Sequence, residues 1–281
     1  MDNMQNRLEK YLPPAEGEQK LLADAMRYSV LNGGKRIRPR LLLLAFEMFG
    51  GTGPDPEPFM AAIEMLHAYS LVHDDLPALD HDTQRRGQPS TWYRYGECMG
   101  ILAGDGLLHQ AFETVALALN GSAYPERVSR AFYVFAHKSG VSGMLGGQAL
   151  DTLRSEMSVT ERELLDMYGM KTAALLEASL MIGAILAGAD EQIIGILEQV
   201  GRKTGLAFQI RDDILDDPSA DENAGSDRKN EKPTYVSLFG RDAAQRKAEQ
   251  LSCEAAALLN LIPADSDALA QMIREMADRS C

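Results

Sequence analysis

Hydrophobic positions along the chain recur every three to four residues in long blocks, and glycines and prolines separate one block from the next. That period is typical of helices that bury one face. No segment alternates apolar and polar residues as a half-buried strand does. We therefore predict an all-α bundle of about ten helices, organised as a single domain over residues 1–281. The predicted helices cover residues 18–31, 39–49, 58–76, 97–119, 125–153, 161–188, 190–217, 234–262 and 267–279.

Local signals mark where some of these helices begin and end. Thr160 and Glu163 have the spacing of a capping box, in which each residue satisfies a free backbone N–H of the other. Pro77 is predicted to disturb the end of helix 58–76, because it lacks a backbone N–H and clashes with the preceding turn. The polar stretch over residues 218–233 is predicted to be a surface loop.

The composition narrows the possible functions. Leu and Ala greatly outnumber Val and Ile, which favours helices over strands. A net charge of −13 argues against a nucleic-acid partner. Three scattered cysteines predict no disulfide framework, and the N-terminal residues lack the apolar core of a signal peptide, so we expect a cytoplasmic protein. Glu177 interrupts the apolar stretch 172–189, which we interpret as a buried core helix without stable membrane insertion.

Three carboxylates crowd the predicted end of helix 58–76, in the segment HDDLPALD (73–80). Asp74 and Asp80 are six residues apart, which would place them on different faces of an ideal helix. A distortion at Pro77 would bring Asp80 to the side of Asp74. Carboxylates at a helix C-terminus oppose the helix dipole. This cluster is therefore predicted to be functional rather than a solvated helix end.

A second acidic cluster lies in the segment QIRDDILD (209–216). Spacings of three and four residues place Gln209, Asp212, Asp213 and Asp216 on one helical face. Like charges at this spacing destabilise a helix unless a counter-ion lies between them. Two such clusters in one chain of apolar helices indicate a binding site for cations.

Cations lie close to both clusters in the sequence. The loop GGKRIRP (33–39) joins three of them to a predicted helix N-terminus, which itself favours anions. Others are Arg85, Arg86, Lys171, Lys229 and Lys232. Carboxylates alone would repel a diphosphate, but Mg²⁺ is typically held by one or two carboxylates together with substrate phosphates. The pattern therefore predicts departure of a diphosphate from an apolar carbon skeleton inside a helical cup that excludes water.

A series of motifs follows in a fixed order along the chain: GGKRIRP (33–39), EMLHAYSLVHDDLPALD (64–80), RRGQP (85–89), ILAGDGLL (101–108), GMLGGQALD (143–151), KT (171–172), GLAFQIRDDILD (205–216) and GSD with KPTY (225–235). These motifs resemble those of the trans-polyprenyl diphosphate synthase family, close to its bacterial farnesyl diphosphate synthases. The resemblance implies an all-α bundle around a central cavity, a homodimer, and three Mg²⁺ ions. It also implies head-to-tail condensation of isopentenyl diphosphate with an allylic diphosphate.

The resemblance assigns roles residue by residue. It implies metal ligands at Asp74, Asp75, Asp80, Asp212, Asp213 and Asp216. It implies contacts with the allylic substrate at Arg85, Lys171, Thr172, Gln209 and Lys232. It implies ligands of the isopentenyl diphosphate at Lys35, Arg38, His67 and Arg86. The residues expected to carry catalysis are Asp74, Asp80, Lys171, Asp212 and Arg85, with the released diphosphate as the proton acceptor.

The length of the product is expected to depend on the residues before the first motif. Tyr69 lies five residues before Asp74, about 7–8 Å deeper along the helix, and Ser70 lies next to it. In the family an aromatic residue at this position implies a C15 product. Geranylgeranyl and geranyl diphosphate remain alternatives, as do a terpene cyclase and a non-catalytic helical subunit. The segment 217–225 is shorter than in the family and lacks its lysine.

Overall fold

The computed structural model describes residues 2–153, 159–217 and 233–277, which are almost entirely helical, as the hydrophobic period predicts. A π-helical turn (Gly169–Ala173) lies between α9 and α10. The helices of the described residues are α1 (Asp2–Glu9), α2 (Lys20–Leu31), α3 (Ile37–Met48), α4 (Pro56–Asp74), α5 (Thr91–Tyr95), α6 (Glu97–Ala118), α7 (Pro125–Ser139), α8 (Met144–Leu153), α9 (Glu161–Tyr168), α10 (Ala174–Ala187), α11 (Glu191–Leu215), α12 (Tyr235–Phe239), α13 (Arg241–Leu259) and α14 (Asp267–Ala277).

Helices α4 and α10 lie at the centre of the bundle. Both are buried over most of their surface, as expected for helices that are apolar on nearly all sides. Helix α10 packs against α3, α7 and α11, and α4 packs against α3 and α6. Their buried side chains, among them Phe59, Leu66 and Leu180, belong to the main hydrophobic cluster. Removal of this apolar area from water stabilises the bundle.

A second, smaller cluster lies beside the C-terminal half of α11. It includes Leu164 and Met167 from α9, Ile210 and Ile214 from α11, and Tyr235 from α12. Helix α13 completes it with three buried side chains. This cluster holds the end of α11, and with it the second acidic motif, against the rest of the bundle.

Two predicted helices are interrupted at glycines. The prediction of one helix over 125–153 is wrong, because the chain turns between α7 and α8. A Cβ atom on Gly143 would lie 1.9 Å from the carbonyl oxygen of Lys138, so a larger residue does not fit in this turn. The helix predicted over 234–262 is likewise divided into α12 and α13 at Gly240, whose φ is +82°.

The helix predicted over 161–188 contains an irregularity that its sequence does not reveal. Its start is as predicted, because the capping box of Thr160 and Glu163 is formed. Within it, Gly169–Ala173 forms the π-helical turn, a widened turn that is often found at functional sites. Among the described residues, Glu161–Ala187 is the one stretch long and apolar enough to cross a membrane, and 78% of its most apolar window is buried inside the fold.

A short hairpin follows the first acidic motif, although no strand was expected. Strands β1 (Gln84–Arg85) and β2 (Gln88–Pro89) pair antiparallel. The two residues between them, Arg86 and Gly87, have φ values of 56° and 73°. Positive φ at both central residues suits a two-residue hairpin turn. The surface loop predicted over 218–233 lies, up to residue 232, outside the described residues.

Candidate active site

The first acidic motif lies where α4 ends. Asp74 is the last residue of the helix, and the chain then curls through Pro77. The backbone N–H of Asp80 donates to the carbonyl oxygen of Asp74 at 2.9 Å, and that of Leu79 donates to Leu76 at 2.9 Å. The curl returns Asp80 to the side of Asp74, as the position of Pro77 predicts.

Asp74 lies among several charged side chains. Burial raises its pKa to about 6; Lys171 and Arg85 oppose this shift, whereas the carboxylates of Asp80 and Asp151 reinforce it. A carboxyl group in such surroundings is costly to ionise without a nearby positive charge. A bound cation would therefore stabilise this part of the site in its ionised form.

Asp75, the second aspartate of the motif, is bound by one cation of this cluster, Arg85. Its residue is 2% exposed, and its carboxylate accepts hydrogen bonds from Nε of Arg85 at 2.9 Å and from Nη2 of the same guanidinium. Nη2 of Arg85 also lies 3.2 Å from the carboxylate of Asp82. Asp75 thus links the end of α4 to the β1–β2 hairpin, and its carboxylate is already engaged by a cation of the protein.

The π-helical turn lies between the two acidic motifs. Nζ of Lys171 donates to the carboxylate of Asp151, on α8, at 2.6 Å, and Lys171 also influences the pKa of Asp74. The hydroxyl of the next residue, Thr172, donates to Oε1 of Gln209, on α11, at 2.7 Å. Two adjacent residues of one turn are therefore hydrogen-bonded to α8 and to α11, and Lys171 is also close enough to Asp74 to lower its pKa.

The second acidic motif occupies the last turns of α11. Asp212 is half-buried, whereas its neighbour Asp213 is buried, with 7% of its surface exposed. The carboxylate of Asp213 accepts hydrogen bonds from the Tyr168 hydroxyl at 2.5 Å, the Tyr235 backbone N–H at 3.0 Å and Nε2 of Gln209 at 3.2 Å. Burial raises the pKa of Asp213, and these three donors oppose the shift.

The remaining aspartate of the motif is in a different environment. Asp216 is exposed, and its backbone N–H donates to the carbonyl oxygen of Asp212 at 2.9 Å, which closes the last turn of α11. The helical spacing predicts one acidic face for the whole motif. In the structure, Asp213 turns from that face towards Tyr168 and Tyr235, whereas Asp212 and Asp216 remain more exposed than it.

The glycine-rich loop before α3 meets the β1–β2 hairpin. Nη1 of Arg86 donates to the carbonyl oxygen of Gly33 at 2.6 Å. A Cβ atom on Gly34 would lie 2.8 Å from the Arg86 guanidinium, so the contact depends on glycine there. Lys35, the next residue, is exposed. The loop and the hairpin together bring cations from separate parts of the sequence to one place.

His67 lies on α4, about two turns before the metal-binding motif predicted at its end. Burial lowers its pKa well below the usual value, and Arg38, Arg86, Arg36 and Arg85 act in the same direction. The imidazole is therefore neutral at pH 7 and can donate a hydrogen bond through one ring nitrogen. Four guanidinium groups around a neutral donor make a position that suits a multiply charged anion.

The two residues proposed to control product length, Tyr69 and Ser70, lie on α4. Tyr69 is 7% exposed, and its ring meets that of His73 edge-on, with the centroids 5.4 Å apart. His73 in turn lies against α6, where a Cβ atom on Gly104 would come within 2.1 Å of its Nε2. The Ser70 hydroxyl donates to the backbone carbonyl of His67 at 2.9 Å.

Most of the predicted site residues lie in three neighbouring groups. The first group contains Asp74, Asp80, Arg85 and Lys171. The second contains Thr172, Gln209, Asp212 and Asp216. The third contains Lys35, Arg38, His67 and Arg86. Asp75 and Asp213 have other partners in the protein, and the predicted ligand Lys232 lies outside the described residues, as does Lys229.

The sequence did not single out several residues that organise the site. Asp151 closes the segment GMLGGQALD and pairs with Lys171. Tyr235 closes the segment KPTY and donates its N–H to Asp213. Both residues end segments that carry the family resemblance, so the sequence contained a usable signal for them. The sequence contained no such signal for Tyr168, because a tyrosine among apolar residues is typical of a hydrophobic core.

The described residues fit Mg²⁺ only together with a substrate. Among residues 2–153, 159–217 and 233–277, no three His, Cys, Asp or Glu side chains converge closely enough to hold a metal ion by themselves. Mg²⁺ does not require such a set, because one or two carboxylates plus phosphate oxygens and water complete its coordination. The paired Asp74 and Asp80, with the raised pKa of Asp74, meet that requirement.

Comparison with known proteins gives one family throughout. Residues 19–276 match the family model described as polyprenyl synthetase. The chain is 37% identical to the farnesyl diphosphate synthase of Bacillus subtilis over 262 residues, covering 92% of this chain and 88% of that protein. It is 41% identical to the geranylgeranyl diphosphate synthase of Cyanophora paradoxa over 257 residues, covering 90% and 85%.

A solved structure agrees over nearly the whole chain. The geranyltransferase of Legionella pneumophila matches with a TM-score of 0.87 at 32% sequence identity, covering 99% of this chain and 94% of that one. The chain thus combines two acidic motifs and two cationic loops on an all-α bundle, and it is similar in sequence to these prenyl diphosphate synthases. The chain belongs to the polyprenyl synthetase family and is a short-chain prenyltransferase.

Proposed function

We propose that the protein condenses isopentenyl diphosphate with dimethylallyl or geranyl diphosphate, in the presence of Mg²⁺, to give mainly farnesyl diphosphate. The observation that carries this proposal is the position of the π-helical turn. Lys171 pairs with Asp151 there and lowers the pKa of Asp74 in the first acidic motif, and Thr172 donates a hydrogen bond to Gln209 in the second. A single diphosphate held at this turn would be within reach of both sets of carboxylates and of Arg85.

The metal-binding role falls to four carboxylates. Asp74 and Asp80 would hold Mg²⁺ on one side of the allylic diphosphate, and Asp212 and Asp216 on the other. Bound Mg²⁺ would neutralise the charge that develops on the diphosphate as its bond to carbon breaks. Asp75 and Asp213 would orient these ligands, since each carboxylate is held by other groups of the protein.

The side chains around the metal positions bind and orient the leaving group. Lys171 and Arg85 would donate hydrogen bonds to the allylic diphosphate, and charge-assisted bonds of this kind strengthen as negative charge accumulates. Gln209 and Thr172, already joined to each other, would border the reacting carbon atoms. The apolar side chains of α4 and α10 exclude water that would otherwise capture the carbocation.

The second substrate would occupy the cationic group. Lys35, Arg38 and Arg86 would bind the diphosphate of isopentenyl diphosphate, and the neutral imidazole of His67 would donate a further hydrogen bond. No side chain of the protein is assigned as the base. The proton lost after the new bond forms would pass to the released diphosphate, which remains next to the reacting carbons.

Product length is the part of the proposal that the relatives leave open, because farnesyl and geranylgeranyl synthases are similarly close in sequence. The buried ring of Tyr69, packed against His73, supports a shallow cavity. A chain that grows past C15 would have to displace this aromatic pair. We therefore favour farnesyl over geranylgeranyl diphosphate.

We further propose that the protein is cytoplasmic, that residues 1–281 act as one domain, and that two copies form a homodimer. Exposed apolar side chains support the dimer. Helix α6 exposes Leu102 (50%) and Leu117 (61%) on the same side, and Tyr133 on α7 is 67% exposed. Large apolar side chains that line up along neighbouring helices are typical of a surface covered by another protein. A molar mass of twice the chain mass, measured by light scattering, is the expected result.

Product analysis tests the central proposal. The purified protein is incubated with Mg²⁺, isopentenyl diphosphate and each allylic diphosphate, and the dephosphorylated products are separated by chain length. Farnesol is expected as the main alcohol. Geranylgeraniol would instead establish the C20 alternative, and absence of diphosphate release would overturn the proposal. A cyclic hydrocarbon from farnesyl diphosphate alone would indicate a terpene cyclase.

A further inference from the structure

A buried ion pair lies behind the glycine-rich loop that carries the predicted isopentenyl diphosphate ligands. Arg36 is 8% exposed and Glu64, on α4, is 3% exposed. Nη1 of Arg36 donates to Oε1 of Glu64 at 2.7 Å, and Nη2 donates to the carbonyl oxygen of Val30, near the end of α2, at 2.6 Å. A buried charge is tolerated only when it is paired and hydrogen-bonded in this way.

The backbone at Arg36 is in a conformation that needs such support. Its φ of 51° and ψ of 42° lie in the left-handed region, which L-residues with a Cβ atom rarely adopt. Gly33 and Gly34 also have positive φ values, of 77° and 111°. Strained conformations persist where the surrounding structure holds them, and they cluster at binding sites. Here the two hydrogen bonds of the Arg36 side chain hold the strained residue in place.

The strained conformation decides which cations of the loop reach the solvent. Lys35 is exposed, Arg36 is turned inwards, and Arg38 is half-buried in the first turn of α3. Arg38 and Arg36 both lower the pKa of His67, which lies one turn after Glu64 on the same helix. One buried pair therefore connects the loop to the helix that bears His67.

We propose that Arg36 and Glu64 are positioning residues for the isopentenyl diphosphate site, because they hold Lys35, Arg38 and His67 in a fixed arrangement without touching the substrate. This inference rests on the proposed function. It predicts a selective effect: loss of the pair weakens binding of isopentenyl diphosphate and leaves the allylic site, with its separate ligands, unchanged. A pair that merely stabilises the fold would not distinguish between the two substrates.

The test substitutes each partner and measures KM for the two substrates separately. In Glu64→Gln the side chain keeps its size but leaves the charge of Arg36 unpaired. In Arg36→Lys the charge is kept, but the two divergent hydrogen bonds cannot both form. We expect KM for isopentenyl diphosphate to rise about tenfold in each variant, the equivalent of one charged hydrogen bond. KM for geranyl diphosphate should stay within about twofold of its original value.

A second buried carboxylate provides the matched control. Glu177, on α10, is also 3% exposed and pairs with Lys138, which contacts Glu198 as well at 2.6 Å. Glu177→Gln removes an equally buried charge from a pair outside the glycine-rich loop. It should lower the melting temperature, as Glu64→Gln does, but leave the ratio of the two KM values unchanged.

The possible outcomes separate this inference from the proposed function. If the original protein couples no substrates, the proposed function fails. If the protein is active but Glu64→Gln and Arg36→Lys change both KM values equally, or neither, the positioning role is overturned. If Glu64→Gln does not fold, the two KM values of Arg36→Lys test the positioning role on their own. Calorimetric titration with isopentenyl diphosphate gives the same answer without turnover, as about tenfold weaker binding.

Discussion

The two acidic motifs use their second aspartates differently. Asp75, in the first motif, is held by the guanidinium of Arg85, which is 35% exposed and is itself predicted to bind phosphate. Asp213, in the second, is held by uncharged donors: a phenol, a backbone N–H and an amide. In the first motif the anchoring group takes part in the site, whereas in the second it belongs to the core.

The difference shows why adjacent carboxylates need not have the same role. At the end of α4, Asp74 lies near Lys171 and Asp80, whereas its neighbour Asp75 is bound by Arg85 of the hairpin. On α11, Asp213 points into the hydrophobic cluster around Tyr168, whereas its neighbour Asp212 points away from that cluster. We propose that in both places one aspartate fixes the backbone so that the other can bind a cation.

The largest effect is expected from the first aspartate of each motif. Asp74→Ala and Asp212→Ala remove a carboxylate that would hold Mg²⁺ at the leaving group, so turnover should fall about 10³-fold or more. Diphosphate release under saturating Mg²⁺ measures this, and circular dichroism shows whether the helices persist. Activity close to that of the original protein in either variant would contradict the assignment.

Substitution of the second aspartates distinguishes anchors from ligands. Asp213→Asn places an amide N–H₂ group among buried donors and should cost about 1–3 kcal/mol of unfolding free energy. Asp75→Asn should cost less, about 1 kcal/mol, because the half-exposed Arg85 can recover hydration. Denaturant unfolding measures both losses.

Titration of the residual activity with Mg²⁺ completes this comparison. If the substituted aspartate only fixes the backbone, the Mg²⁺ concentration that gives half-maximal activity should stay within about twofold of the original value. If the aspartate binds the metal, its loss should raise that concentration by tenfold or more. Tyr168→Phe, which removes one donor to Asp213, is the matched control and should reproduce the smaller shift. A large shift in Asp213→Asn alone would make Asp213 a ligand after all.

The two motifs should also differ in their response to pH. The folded-state pKa of Asp74 is raised to about 6 from an ordinary value near 3.8. Without metal, the cost of ionising this group destabilises the folded state fully above pH 6, decreases as pH falls from 6 to 3.8, and is absent below 3.8. Below pH 6 the carboxyl group of the folded protein is protonated, so a bound cation must displace a proton. Mg²⁺ with inorganic diphosphate should therefore raise the melting temperature more at pH 7.5 than at pH 5.5.

Asp74→Asn provides the control for this pH effect, since an amide does not titrate. The variant should lose the difference between the two pH values, whereas Asp212→Asn should retain part of it, because the first motif is intact there. An equal Mg²⁺ effect at both pH values in the original protein would contradict the role of Asp74.

Substitution of Tyr69, which precedes the first acidic motif, is expected to have the smallest effect on rate but to change the length of the product. Tyr69 lies five residues before Asp74, and Phe208 lies four before Asp212. Tyr69→Ala should lengthen the main product beyond C15, because it opens space beside His73 along the growing chain. Phe208→Ala is the comparison on the other side of the site and should leave product length unchanged. Product chromatography measures both, and unchanged products in Tyr69→Ala would place the cavity floor elsewhere.

Much of the molecule follows from local sequence. Hydrophobic spacing predicted most helices, the capping box of Thr160 predicted the start of α9, and Pro77 predicted the curl that returns Asp80 to Asp74. These features depend on interactions between residues a few positions apart, where steric exclusion and backbone hydrogen bonding leave few alternatives. The break at Gly143 was missed because its glycine could also have been tolerated inside a helix.

Tertiary structure decided the features that depend on distant partners. Asp213 turns inwards because its donors lie 45 residues earlier, at Tyr168, and 22 residues later, at Tyr235. Arg36 holds a strained backbone because Glu64, 28 residues away, is buried beside it. The sequence by itself determined which residues carry charge and where the helices run. Packing alone determined which of those charges are buried and which partners they have, since a buried charge adopts whichever orientation gives it a partner.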